Sequence, residues 1–164
     1  MAYRNSFSAE EWKTLQFAHF WVFQAVAGSD NKIDTEEKIA LDEIMKNGAK
    51  FANPLAREIM MGLEYNIDGI NAEFSADHRT IEQGLIQVDD LLSAKVNPED
   101  ALVFKKTLMA IGIYIGSASG KWFAANFSKE EVAALKEAGM YLHVSEDDLQ
   151  KPPLLSDILQ SISE

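Results

Sequence analysis

The sequence predicts an all-α protein, a bundle of seven to eight helices, on three observations. Helix-start signals recur along the whole chain, no run alternates apolar and polar residues with the period of a strand, and two long segments are apolar almost all round. Ser8-Ala9-Glu10-Glu11 places a hydroxyl three residues before a carboxylate, the reciprocal arrangement of a capping box. Asp34-Thr35-Glu36-Glu37, Ser128-Lys129-Glu130-Glu131 and Ser145-Glu146-Asp147-Asp148 read the same way. Asn53-Pro54 and Asn97-Pro98 put an Asn at the cap and a Pro at the first helical position, where its missing N–H costs nothing. Ser75, before Ala76-Asp77, reads as a further cap. These starts place helices over 9–27, 35–47, 54–66, 76–95, 98–118, 129–142, 146–151 and 153–162. Asp68-Gly69 has hairpin composition, but residues 64–66 before it read as a helix end, so no hairpin is expected.

On the first helix Trp12, Leu15, His19, Val22, Phe23 and Val26 share one side at about 100° per residue. Phe17, Trp21 and Ala25 cover much of the other, which predicts a helix inside the bundle. The helix over 98–118 behaves likewise, with Leu102, Val103, Leu108, Met109, Ile111, Ile113 and Ile115. Gly112, Gly116 and Gly120 fall four apart on it and form a ridge without side chains. The two helices are related. An offset of 89 pairs Leu15 with Phe104, Val22 with Ile111 and Val26 with Ile115. After an insertion at 122–126 the offset becomes 94 and pairs Ile33 with Phe127, Glu37 with Glu131 and Leu41 with Leu135. One domain, 1–164, with duplicated segments at about 12–47 and 102–142, is the expected organisation.

The chain carries 15 basic and 26 acidic residues, net −11, which repels phosphate backbones and disfavours nucleic acid as a partner. It has no cysteine, so thiolate chemistry and disulfides are excluded. Residues 107–120 form an uncharged stretch of 14, short of the roughly 20 that span a bilayer, so membrane insertion is not expected. Met1-Ala2-Tyr3-Arg4-Asn5 leads into no apolar run, so a cytoplasmic location is the expectation. Residues 64–100 hold nine acidic and two basic side chains, net −7, and residues 101–142 are net +2. The acidic segment, with Asp77, Glu82, Asp89 and Asp90, suits a basic protein partner.

The loop over 28–37 is the most informative ten residues. Asp30, Asp34 and Glu37 are oxygen ligands that can converge on a hard divalent cation, Ca²⁺, Mg²⁺ or Mn²⁺, with Zn²⁺ less suited. Glu131, their counterpart in the second copy, can contribute if the symmetry brings it close. An EF-hand is excluded, since counting from Asp30 its third, sixth and twelfth positions hold Lys32, Thr35 and Leu41. The competing reading is purely structural: Asp34 caps a helix, Glu37 returns the bond, and Asp30-Asn31 turns the chain. His78 and Glu82, four apart, form an alternative pair, short of the three or four ligands a zinc site needs. His19 reads as a core histidine with satisfied nitrogens, and His143 as a cation suited to a helix C-terminus. No Glu-x-x-His, P-loop or Gly-x-Ser-x-Gly elbow is present, and the chain is expected not to be an enzyme.

An apolar helix ending in small residues, then Asp30, a turn residue, Ile33, the cap Asp34 and Glu37 three later resembles the TerB family of tellurite-resistance proteins. Related TerB-like domains occur at the N-terminus of DjlA-type membrane co-chaperones. The turn residue there is commonly Gly and here is Asn31; the second copy keeps Gly120 but has Ser119 at the Asp position. The resemblance implies an internally duplicated helical fold in the cytoplasm, a link to tellurite and chemical stress, and metal binding through the acidic loop. A metal-free scaffold that docks a partner on its acidic face is the alternative.

Overall fold

The computed structural model describes residues 3–27, 35–116 and 129–163; where helices approach the edges of these spans, at Glu37 and Glu131 among others, only the backbone is described. Among the described residues there is no strand. Nine helices follow in order: α1 (Ala9–Ala27), α2 (Thr35–Lys46), α3 (Pro54–Tyr65), α4 (Ile67–Ala76), α5 (Ile81–Lys95), α6 (Pro98–Gly116), α7 (Lys129–Tyr141), α8 (Glu146–Gln150) and α9 (Leu155–Ser163). Tight 3₁₀ turns at Tyr3–Ser6 and Gly48–Lys50 complete the described backbone elements.

Helix α1 occupies the middle, against α3, α4, α5, α6 and α7, and α6 is its most extensive neighbour. Leu15, Phe17, Ala18, Trp21 and Val22 on α1 are buried, as are Phe104, Leu108, Met109, Ala110 and Ile111 on α6. An all-round apolar helix has no wet face to offer, so burial on every side is the arrangement that satisfies it. The capping chemistry is present in the described helices. Ser8 and Glu11 exchange bonds of 3.1 and 2.8 Å, and Ser145 and Asp148 exchange two of 3.0 Å. Asn53 and Asn97 each accept a backbone N–H at 2.9 Å. The caps expected at Asp34 and Ser128 lie outside the described residues.

The region between α3 and α5 departs from the sequence expectation. A helix end at 66 is right, but α4 starts in the very next residue, with the Ile70 N–H donating to the Asn66 carbonyl at 3.0 Å. Asp68-Gly69 sits in its first turn rather than in a loop. Ile67, Ile70 and Phe74 supply the apolar stripe that holds α4 to the core. Gly69 lets the Asn66 amide fold over it, since an added Cβ would come within 2.7 Å of that side chain. Ser75 caps nothing: its hydroxyl bonds back to the Asn71 carbonyl at 3.0 Å. Helix α5 begins five residues later than expected, at Ile81, under a capping box formed by Thr80 and Gln83.

Among the glycines whose surroundings are described, Gly84, where α5 meets α1, has the least room for a side chain. A Cβ built on Gly84 would lie 2.4 Å from two carbons of the buried Trp21 indole. Gly112 is buried within α6, whereas the side-chain surroundings of Gly116 and all of Gly120 lie outside the described residues. In the middle of α6, Lys106 is buried and donates to the carbonyls of Lys151 at 2.7 Å and Pro153 at 3.2 Å, which ties the chain leading into α9. Burial holds its ammonium below the usual lysine range.

Gly84→Ala should destabilise the protein despite the better helix propensity of alanine. The methyl must displace an indole locked in the core, at ~1–3 kcal/mol for overpacking against a gain of ~1 kcal/mol at most. Chemical denaturation of parent and variant checks it; equal midpoints would show that Trp21 yields freely.

Candidate functional site

The four residues joining α4 to α5 are held in place by one side chain. Asp77 ends α4, its N–H bonded to the Phe74 carbonyl at 3.0 Å, and its carboxylate accepts from the Arg79 backbone at 2.9 Å. The same carboxylate accepts from Arg79 Nε at 3.0 Å and Nη2 at 2.9 Å. The Arg79 guanidinium holds the Asp77 carboxyl below the usual carboxylate range. Arg79 Nη1 then reaches Thr14 Oγ1 on α1 at 3.0 Å and Gln87 Oε1 on α5. The guanidinium lies 4.9 Å from the centre of the Trp21 ring, within cation–π range. Each of the three nitrogens of this fork donates at least one bond. One arginine therefore fixes the link to both helices.

A concavity opens on either side of the Arg79–Gln87 bridge. One, of about 470 Å³, is lined by Glu10, Glu11, Thr14, Asp77, Asp90 and Leu91 as well as the bridge. The other, of about 420 Å³, adds Glu82, Gln83 and Ile86. Together they form a groove along the outer face of α5 and the start of α1. The cations near it are engaged. Lys95 pairs with Glu11 at 2.8 Å, and Lys13 with Glu73 at 2.7 Å and Glu10 at 3.6 Å. Lys95, with the Ser8 backbone N–H, pulls the Glu11 carboxyl down to about 2. Glu82 and Asp90 are exposed and have no ion-pair or hydrogen-bond partner among the described residues. The groove is thus acidic after its internal pairs are counted.

Of the expected metal ligands, only His78 and Glu82 have described side chains. Asp30 and Asp34 lie outside the described residues, and so do the side chains of Glu37 and Glu131. His78 and Glu82 are both exposed, but the helix begins only at Ile81. Their spacing of four therefore does not stack them on one helical face, and the alternative pair loses its geometric basis. Among the described residues no group of three His, Asp or Glu side chains is placed to hold a metal ion.

Asp89 does not belong to the acidic face. It is buried, and one carboxylate oxygen takes the Lys105 ammonium while the other meets His143 Nδ1 at 2.5 Å. His143 ends α7, as expected, in a left-handed conformation with φ 58°. The Val144 N–H reaches the Gly139 carbonyl at 2.7 Å and the His143 N–H reaches Met140 at 3.2 Å, the two bonds of a Schellman terminus. Glycine is the usual residue there; histidine trades that ease for a bond to Asp89. The sequence did carry a signal for this cluster. Asp89 stands among Leu85, Val88 and Leu92 on one stripe, and Lys105 among Ala101, Leu108 and Met109 on another, each a lone charge on an apolar face.

His19 is a core histidine, buried to 2% exposure with its ring edge-on to Phe104. Only one nitrogen is satisfied: Nδ1 contacts the Gln16 carbonyl at 3.3 Å, and the buried Nε2 has no partner. The expectation of two satisfied nitrogens is corrected accordingly.

Compared with known proteins, the chain matches no family model, no curated protein and no solved structure. Among the described residues no helix is long and apolar enough to cross a membrane.

Burial pushes the His19 imidazole from an ordinary 6.5 down to about 4. Between those values the unfolded chain binds a proton that the folded chain refuses, so stability falls as pH drops through the window. The loss at its acid end is roughly 3 kcal/mol by linkage. Urea unfolding across that window should show the dependence in the parent and a flatter one in His19→Leu. Parallel losses in both would assign the acid sensitivity elsewhere.

Proposed function

We propose that this chain is a non-enzymatic interaction module whose groove along α5 seats a basic segment of a protein partner. The supporting observation is the charge balance at the groove: Arg79, Lys95 and Lys13 are each bound by acidic neighbours, and Glu82 and Asp90 are left over. Carboxylates lining a concavity focus a negative potential, which favours cationic partners and rejects phosphate backbones. Double reversal, Glu82→Lys with Asp90→Lys, should weaken binding of lysine-rich peptides by about tenfold or more, since exposed ion pairs contribute severalfold each and reversal adds repulsion. Raised salt should weaken the parent complex too. Binding that ignores both changes would sink the groove reading.

A second reading, a TerB-like module of the tellurite and chemical-stress response with a divalent cation at Asp30, Asp34 and Glu37, keeps its support from the duplicated pattern. Helices α1 and α6 are both 19 residues long and lie side by side, and each precedes a helix of similar length, α2 with 12 and α7 with 13. Calorimetry with Ca²⁺, Mn²⁺ and Zn²⁺ tests the site. One weak, micromolar-to-millimolar event, lost in Asp30→Asn combined with Glu37→Gln, is the expected outcome, as is a metal-dependent rise in melting temperature in the parent. Equal responses in parent and double variant would remove the loop from consideration.

A further inference from the structure

We propose that α9 and residues 151–154 before it form a strap that lifts from α6 as one unit, and that the buried ammonium of Lys106 drives its release. Helix α9 has nine residues, fewer than the roughly 12 to 15 a helix needs to persist alone. It packs on α6 through a short apolar stripe, Leu155, Ile158 and Leu159, with Ser156, Asp157 and Gln160 on its exposed side. Bonds inside the strap survive lifting. The Leu154 N–H donates to the Asp157 carboxylate at 2.9 Å, and the Ile158 N–H to the Leu154 carbonyl at 3.1 Å. The two bonds from Lys106, to the carbonyls of Lys151 and Pro153, cross from bundle to strap and break together.

The adjacent lysines of α6 differ in what they meet. Lys105 gives its charge to the Asp89 carboxylate. Lys106, 1% exposed, has carbonyl oxygens before it and no carboxylate within ion-pair distance among the described residues. A buried ammonium without a counter-ion has exchanged its water for backbone dipoles alone, and lifting the strap restores that water. Asp148 on α8 favours the charge from farther off and Lys151 opposes it, but burial is the largest influence, in keeping with an ammonium held below the usual lysine range. The carbonyls it contacts belong to the exposed Lys151 and the half-buried Pro153, where water can take the place of the lysine. Lys106 therefore fixes where the strap lies and at the same time lowers the cost of lifting it. Without the charge, the same apolar stripe holds α9 more firmly.

Hydrogen exchange of the full chain, read by mass spectrometry and corrected for intrinsic rates, tests this with Lys106→Met, which keeps the length of the side chain and removes its charge. In the parent, amides over 155–163 should exchange about tenfold or more faster than those over 12–23 in α1, and at one common level of protection. Lys106→Met should slow the strap by about tenfold and leave α1 unchanged, because an apolar group in place of a poorly paired buried charge stabilises. Leu159→Ala, which shortens the apolar stripe, should instead speed the strap, again with α1 unchanged. Strap amides as protected as those of α1 in the parent would show that no separate opening occurs, and would overturn the proposal. Exchange that is unchanged or faster in Lys106→Met, or protection lost throughout that variant, would show that the ammonium holds the strap down, and would overturn its part in release.

Discussion

The contact on which the rest of this architecture depends is the seating of Gly84 on the Trp21 indole. Indole is the largest group α1 offers to α5, and only a residue without a side chain lets the two helices close over it. Once closed, the rotation of α5 about its axis is set. Leu85, Val88 and Leu92 turn inward, and Glu82, Ile86 and Asp90 turn out. Phe17 and Phe74 brace the same indole, with ring centres 5.8 and 5.9 Å away, and Phe74 brings α4 with it. Arg79 then completes the surroundings of Trp21 as a cation rather than as another hydrophobe. A single aromatic residue in the first helix thus organises a groove made mainly from the fifth.

Charge inside the bundle does different work from charge on its surface. A buried ion pair such as Lys105 with Asp89 contributes little net stability, because desolvation offsets most of the attraction, yet stranding either partner is costly. Its consequence is positional: α6 faces α5 in the register that joins these two groups, and His143 brings the end of α7 to the same carboxylate. Lys106, next in sequence, points elsewhere and finds only backbone carbonyls. Two adjacent lysines therefore fasten α6 to different parts of the chain. Both partly fill an otherwise apolar helix, which explains how it can carry charge and still be buried.

Most of the fold was legible because its determinants are local. Capping boxes and Asn-Pro starts bring donor and acceptor together within four residues, so they can be read without knowing what packs where. Helix α4 escaped for the opposite reason. Asp68-Gly69 and Ser75 have the chemistry of a turn and a cap, but Ile67, Ile70 and Phe74 have a core to reach, and packing overrode the local preference. The same shift moved the start of α5, and with it the alignment of His78 and Glu82. The groove was half legible. Asp77, Glu82 and Asp90 stood out as acidic residues, but no sequence pattern tells that Arg79 would turn onto Asp77, or that Asp89 would be withdrawn to meet Lys105.

The placement of the groove's carboxylates also explains how the fold tolerates them. Glu10 and Glu11 lie in the first turn of α1 and Glu82 in the first turn of α5, where the positive end of the helix dipole favours an anion by ~0.3–1 kcal/mol. Asp77 sits at the opposite, unfavourable end of α4 and has Arg79 wrapped around it in compensation. Asp90 has neither support: it is mid-helix, exposed, and without a partner among the described residues. Folding gains nothing evident from a carboxylate there. Its negative charge adds to that of Glu82 at a distance too great for them to repel strongly in water, and both flank an exposed isoleucine that folding has also left uncovered. Three residues of α5 that the bundle leaves exposed, Glu82, Ile86 and Asp90, lie in one line along the groove, which is why a binding role is proposed for that face and not for the buried clusters.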